Sequence, residues 1–264
     1  MERPPSEVVV AFLSFVLLWV LVVIGLLALA PRWKRGARAR DCLVAEWKPS
    51  LGIALLFLVS FSLGGRGANP LGAISVLCQS LVGLSLARGI VGYDPLPVTR
   101  AVVVRKRRWR ECAVALGVAA LLAPVIQIAA GMGMAVGQLL GEAAGTRAVM
   151  EGFGQNRLGA FFLFLAGAGI AEETTYRLVL LSLLWRVTRR AWVAVLVSAL
   201  AFGLYHLTPL DTMYRAFWEF PVSQVLASTL AGVVLGYVYV RRGFETVVLG
   251  HTLSNWMPLV IFPR

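Results

Sequence analysis

The sequence has few charged and few polar residues for its length. Of its 264 residues, 59% are hydrophobic, only 14% are charged, and two are histidine. The mean hydropathy is +0.79. A soluble domain is usually nearer half apolar and a quarter charged. This composition excludes an ordinary soluble fold, and we expect a polytopic membrane protein.

Cysteines are also scarce. There are three, Cys42, Cys78 and Cys112, an odd number without a CxxC pair. Two fall in predicted cytoplasmic loops and one falls in a predicted span. The sequence therefore predicts no disulfide framework.

Several other features are missing. The chain has no long polar linker, no low-complexity tract, no visible repeat and no HExxH motif. No serine or cysteine stands beside a histidine in a nucleophile motif. We therefore expect one structural domain overall, in which 1–157 form an N-terminal transmembrane scaffold of four spans and 158–264 form a core of four spans that carries the ionisable residues inside the membrane.

The hydrophobic runs predict an all-α fold, a transmembrane helical bundle of about eight spans. The first run, Val8 to Ala30, contains no charge and is long enough to cross a bilayer. Its flank MERPPSE carries no net positive charge, and the run is too long for a signal peptide, so we interpret it as an anchor. The predicted spans are 8–30, 51–63, 71–87, 113–140, 158–184, 191–208, 222–240 and 244–262.

The positive charge is unevenly distributed. The formal net charge is +12, yet 18 of the 25 lysines and arginines fall in the alternate loops 31–50, 88–112, 185–190 and 241–243. Cytoplasmic loops of membrane proteins carry such an excess. We therefore expect both termini outside the cytoplasm. The segment RKRRWR at 105–110 is interpreted as contacting anionic lipid rather than nucleic acid.

Small residues recur at helical spacing in two of the spans. Gly133, Gly137 and Gly141 are four residues apart, as are Gly232 and Gly236. Rows of small residues let transmembrane helices approach closely. We expect these glycines to pack the bundle rather than bind a ligand.

One span carries charges where none are expected. The stretch AEETTYR places Glu172, Glu173 and Arg177 between apolar runs. On a helix, Glu173 and Arg177 are four apart in the order that favours an ion pair. Glu172 is rotated by about 100° from Glu173 and needs a partner from another helix. Ionisable residues within a membrane are candidates for function.

The two histidines lie in later spans. FGLYH places Phe202 and His206 one turn apart, and HTLSN does the same for His251 and Asn255. A carboxylate and an imidazole can together deprotonate water. A second imidazole and an amide are suited to a developing oxyanion. The set is typical of a hydrolase that attacks an amide with activated water.

These three stretches are similar to the motifs of the CPBP family of CAAX-processing and bacteriocin-processing intramembrane proteases, namely EExxxR, FxxxH and HxxxN or HxxxD. The eukaryotic Ras-converting endoprotease belongs to this family. The motifs occur in order across residues 172–255. The resemblance implies a glutamate-dependent endopeptidase without a cofactor, built on a helical core of about eight spans.

The resemblance also implies roles for the six residues. Glu172 and His206 would activate the water, His251 and Asn255 would support the oxyanion, and Glu173 and Arg177 would form a structural pair. The eukaryotic enzymes have an asparagine four residues after the second-motif histidine, where this chain has Leu210. Prenylated substrates are therefore not implied. The bacterial branch, which matures secreted peptides and C-terminal sorting tails, fits better.

Three alternatives stay open at the level of sequence. Glutamate and two histidines can also bind zinc, with water as the fourth ligand. Buried ionisable residues also form proton paths in transporters. A third alternative is an inactive scaffold protein. For the protease we expect a protein or peptide substrate cut near a membrane or at a C-terminal tail, and a location in the bacterial cytoplasmic membrane.

Overall fold

The computed structural model describes residues 6–29, 34–104, 108–142 and 156–261. These residues are helical apart from turns and short loops and include no strand. Their helices are α1 (Ser6–Leu29), α2 (Lys34–Ala45), α3 (Trp47–Phe61), α4 (Pro70–Arg88), α5 (Pro97–Val104), α6 (Arg108–Leu139), α7 (Arg157–Thr188), α8 (Ala191–Tyr205), α9 (Tyr214–Phe217), α10 (Pro221–Arg242) and α11 (Phe244–Ile261).

Each of the eight predicted spans overlaps one of these helices. Six helices in the described part of the chain are long and apolar enough to cross a membrane: α1, α3 with its extension to Arg66, α4, α6, α7 and α10. Helix α8 is shorter, and α11 is more polar because it carries an acid, a histidine and an asparagine. The protein is an all-helical, multi-pass membrane bundle, as predicted.

Some predicted span boundaries were wrong. The span predicted at 51–63 is longer, because α3 begins at Trp47 and a π-helical turn continues it to Arg66. The span predicted at 191–208 is shorter, because α8 ends at Tyr205. Hydropathy locates the apolar middle of a helix but not ends with polar or aromatic residues. The basic segment 105–110 lies partly outside the described residues, so its contact with lipid stays a prediction.

Helix α7 has an unusual backbone around its charged residues. The segments Leu165–Glu172 and Thr174–Leu181 are π-helical, and Glu173 lies between them. A π-helix bonds residue i to residue i+5, which is rare in proteins and frequent at functional sites. The wider turn sets the directions of both glutamates and could not be read from the sequence.

The first glycine row packs α6 against α10. A Cβ atom at Gly133 would collide with the backbone of Ala227, and one at Gly137 would collide with Ser223. Gly141 differs from its two neighbours in the row, since it follows the end of α6 with φ 94° and nothing within 4 Å of its Cβ position. The packing prediction is therefore confirmed for two of these glycines and was wrong for Gly141.

The second row packs α10 against α8. A Cβ at Gly232 would lie 3.0 Å from the Cα of Ala199, and one at Gly236 would lie 3.1 Å from a methyl group of Val195. Helix α10 is thereby held between α6 and α8. This position places α8, with Phe202, next to the polar face of α7.

Helices from the two halves of the described chain pack against one another. Helix α4 packs along α7, and α6 packs along both α10 and α11. The side chain of Gln127 on α6 donates to the carbonyl of Ser254 on α11 at 2.5 Å. Helices from residues 1–157 therefore contact those that carry the candidate site.

Candidate active site

The Glu173 carboxylate joins α7 to α11. Its side chain is fully buried. Its Oε1 lies 3.2 Å from the guanidinium Nη1 of Arg177 and 2.8 Å from Nδ1 of His251. The ion pair with Arg177 has the predicted spacing. The contact with His251 was not predicted, because it spans 78 residues of sequence.

Arg177 is held from three sides. The side chain is completely buried. Its guanidinium carbon lies 4.4 Å from the ring centroid of Phe202, and its Nη2 donates to the carbonyl of Gly232 at 3.3 Å. A cation over an aromatic face is attracted by the ring quadrupole. Arg177 thus connects α7 to both α8 and α10 and neutralises Glu173.

Glu172 has different surroundings from its neighbour. Its side chain is 20% exposed, and Oε2 lies 4.0 Å from Nε2 of His251. No arginine or lysine of the described chain lies within 4 Å of its carboxylate. Glu172 is the acidic residue lining a cavity of about 140 Å³ formed by Phe12, Phe15, Phe57, Gly72, Ser75, Val76, Gln79, Ala171, Glu172, Thr175, Tyr176, Tyr205 and Leu210.

His206 lies directly after α8, as its C-terminal cap residue. Its Nδ1 is 2.9 Å from the carbonyl oxygen of Phe202. A carbonyl can only accept, so Nδ1 carries the proton and Nε2 is the free nitrogen of the neutral ring. That Nε2 lies 4.0 Å from Oδ2 of Asp211, and the imidazole is within electrostatic range of Glu172 and His251.

Asp211 belongs to the loop between α8 and α9. Its Oδ1 accepts from the backbone N–H of Met213 at 2.8 Å, and its side chain is 12% exposed. Burial raises the pKa of Asp211 to about 7, and the nearby charge of Glu172 acts in the same direction. A carboxyl group with such a value changes its charge near neutral pH.

Asn255 lies one turn after His251 on α11 and is partly buried. Within the described part of the chain its amide makes no hydrogen bond. The structure therefore places Asn255 on the helix of His251 but not in the network around Glu173. Its role at the oxyanion stays a prediction.

Phe202 is the residue around which the two histidines meet. Its ring centroid lies 4.9 Å from that of His206 and 5.8 Å from that of His251, and both contacts are edge-on. The ring of Phe202 therefore contacts both His206, which follows α8, and His251 of α11, and brings the two histidines together. The cavity itself is lined by Glu172 but by neither histidine and not by Asn255. Glu172 lies between the cavity and His251.

Sequence reasoning missed two polar residues. Gln79 on α4 is buried, accepts from the hydroxyl of Thr175 at 2.6 Å and lines the cavity beside Glu172. Asp211 approaches His206 from the following loop. An acid five residues after the motif histidine was a usable signal for Asp211. No sequence signal connected Gln79 to residues 96 positions away.

The described residues contain no group of three or more histidine, cysteine, aspartate or glutamate side chains arranged to hold a metal ion. That the protein works without a metal ion stays a prediction.

Comparison with known proteins agrees with the motifs. Residues 154–257 match the model of a family described as type II CAAX prenyl endopeptidase Rce1-like. No curated protein and no solved structure matches the chain. The matched segment runs from just before α7 into α11 and contains all six candidate residues. The match covers less than half of the chain, and over this segment the protein is similar to the CAAX protease family.

Proposed function

We propose that the protein is an intramembrane endopeptidase in which Glu172 is the catalytic carboxylate. The observation that carries the proposal is the contrast between two adjacent glutamates. Glu173 is buried and neutralised by Arg177, whereas Glu172 reaches a cavity and, among the residues that the structure describes, pairs with no arginine or lysine. A carboxylate that is not held in an ion pair is free to accept a proton.

The reaction follows from this arrangement. Glu172 and His206 together withdraw a proton from a water molecule, and the water oxygen attacks the carbonyl carbon of the substrate. The proton then passes to the amide nitrogen as the C–N bond breaks, which releases an amine and a carboxylic acid. Water is consumed, and no covalent intermediate with the enzyme forms.

The developing oxyanion needs hydrogen-bond donors. His251 donates its Nδ1 proton to Glu173, so its Nε2 points towards Glu172 and the reacting group. For Nε2 to donate to the oxyanion, the ring must carry a proton on each nitrogen. Asn255, one turn further along α11, supplies an amide as the second donor.

The substrate follows from the location of the site. Glu172 lies in the middle of a helix long and apolar enough to span a membrane, and aromatic and aliphatic side chains line most of its cavity. We infer a protein or peptide substrate cut beside a membrane segment, as in the removal of a C-terminal tail or a propeptide. The bacterial cytoplasmic membrane is the location we propose, with both termini outside the cytoplasm.

The test uses two strains of the source organism, one with the wild-type protein and one with the Glu172→Gln variant. Their membrane proteins are compared. Mass spectrometry of protein termini should find new ends only with the wild type. Glu219→Gln, at an exposed position after α9, is the matched control and should process normally. Proteins identified in this way are then cleaved in lipid vesicles by the purified enzyme. Equal processing by Glu172→Gln would refute the proposal.

A further inference from the structure

We propose that Asp211 is a positioning residue that acts through His206, stabilising the positive charge that the ring acquires when it takes up a proton. The proposal rests on the proposed function for its catalytic meaning. The electrostatic relationship between the two side chains is a property of the resting protein and can be tested without a substrate.

The geometry carries the proposal. The bond from Nδ1 of His206 to the carbonyl of Phe202 fixes the ring and directs Nε2 away from α8. The nearest carboxylate oxygen to Nε2 is Oδ2 of Asp211, at 4.0 Å. The carboxylate is itself fixed, because its other oxygen accepts from Met213 N–H. The carbonyl of Phe202 therefore fixes His206 at Nδ1, and Nε2 faces a fixed carboxylate oxygen 4.0 Å away.

The surroundings of Asp211 strengthen the electrostatic effect of its carboxylate on His206. Both side chains are only 12% exposed, so water screens their interaction weakly. The aromatic rings of Phe202, Tyr205 and Phe217 contact the imidazole. In such a site a carboxylate near an imidazolium offsets a large part of the energetic cost of burying the charge.

Other charged groups also face the two side chains. Glu172 and Arg177 act on His206 from α7, with opposite signs, and His251 acts on it from α11. Glu172 also acts on Asp211. Arg177 is neutralised by Glu173. Glu172 favours a protonated His206 from α7, and Asp211, 4.0 Å from Nε2, adds its charge from the loop after α8.

Asp211 changes its charge near neutral pH. Burial raises its pKa to about 7, so it is available as an anion at neutral pH when the imidazole beside it gains a proton. In the proposed reaction the proton comes from the attacking water and leaves with the amine. Asp211 neither donates nor accepts it, and only the charge on His206 is offset.

The chain offers a direct spectroscopic test because it contains only two histidines. Labelling with ¹³Cε1-histidine in nanodiscs gives two resonances, and His251→Gln assigns them. With Asp211→Asn, the titration midpoint of His206 should move about one pH unit or more to lower pH. Asp211→Glu should restore part of the shift, and the exposed variant Glu219→Gln should cause none. An unchanged His206 midpoint in Asp211→Asn would overturn the proposal.

A reciprocal measurement does not depend on a variant of Asp211. The chain has three aspartates, Asp41, Asp94 and Asp211. With ¹³Cγ-aspartate labelling, His206→Gln should move one midpoint to higher pH, because a nearby positive charge is removed and coupling between two sites is reciprocal. Three unchanged midpoints would contradict the pairing of the two side chains.

The kinetic measurement separates this inference from the proposed function. Once a substrate is known, Asp211→Asn should lower kcat about tenfold with little change in KM, and the acidic limb of the pH–rate profile should move to lower pH. Failure of the protease assay together with the expected histidine shift would refute the function but keep the pairing. Activity without the histidine shift would refute the pairing alone.

Discussion

Oε1 of Glu173 lies 2.8 Å from Nδ1 of His251, and this contact joins the first motif to the third across 78 residues. Because Oε1 also faces Arg177, one carboxylate oxygen serves both an ion pair and an imidazole. The resemblance to the CAAX proteases implied a structural pair made of Glu173 and Arg177 alone. In the folded protein the pair also orients a histidine of the site.

The two glutamates should respond differently to the same substitution. Glu172→Gln should leave thermal unfolding in detergent close to that of the wild type, because Glu172 has no strong partner. Glu173→Gln should lower the free energy of unfolding by about 3–5 kcal/mol, because it leaves Arg177 buried without its counter-charge. Equal losses of stability in the two variants would contradict the distinction.

Replacing both members of the buried Glu173–Arg177 pair should lower the free energy of unfolding less than replacing Glu173 alone. In Glu173→Gln with Arg177→Met, both charges of the pair are removed and neither partner is left buried without its counter-charge. We expect the double variant to be more stable than Glu173→Gln alone, with a coupling energy of about 1–3 kcal/mol in a double-mutant cycle. Additive losses in calorimetry or chemical unfolding would show that the two side chains do not interact.

Catalysis should not depend on a metal ion. If Glu172 and His206 act on the water directly, elemental analysis of the purified enzyme should find far less than one zinc per chain. Activity should also survive prolonged chelation. In a zinc enzyme the ion would lower the pKa of its bound water towards 7. About one zinc per chain, with activity lost on chelation and restored by zinc, would identify a metalloprotease instead.

Asp211 should make the stability of the protein depend on pH. Its pKa rises from 3.8 to about 7 on folding, so the folded state prefers the protonated acid. The stability contributed by this group is complete below pH 4 and is lost as the pH rises through 7. Asp211→Asn cannot ionise, and its amide oxygen can still accept from Met213.

The expected result is a difference between two pH values. At pH 4 the Asp211→Asn variant and the wild type should unfold alike, whereas at pH 8 the variant should be more stable by up to about 4 kcal/mol. Denaturant titrations in detergent at the two pH values measure this difference. If the wild type and the variant unfolded alike at both pH values, Asp211 would ionise as freely in the folded protein as in the unfolded chain.

Two glycines of α6 provide a matched test of helix packing. A side chain at Gly133 collides with the backbone of α10, whereas Gly131, two residues earlier, has nothing within 4 Å of its Cβ position. Gly133→Leu should lower thermal stability strongly, since the contact is with backbone that cannot move aside. Gly131→Leu should unfold like the wild type. The opposite order would contradict the packing of α6 on α10.

The sequence alone determined the helical membrane class and singled out the candidate site residues. Apolar runs long enough to span a bilayer need internally bonded backbone, which favours helices. Charged residues are rare inside such runs, so Glu172, His206 and His251 stood out without any structure. The i,i+4 spacing of Glu173 and Arg177 predicted their ion pair because helix geometry is local.

Only the tertiary structure decided which partners these residues have. The contacts of His251 with Glu173 and of Gln79 with Thr175 join distant parts of the chain, and helical periodicity carries no information about which faces meet. The π-helical segments of α7 pack against α3, α4, α8 and α11, elements that lie far from them in the sequence or are separated from them by a turn. Asp211 was within reach of sequence reasoning, yet its burial beside His206 depends on how the loop after α8 folds back over the bundle, which is set by long-range packing and not by local sequence.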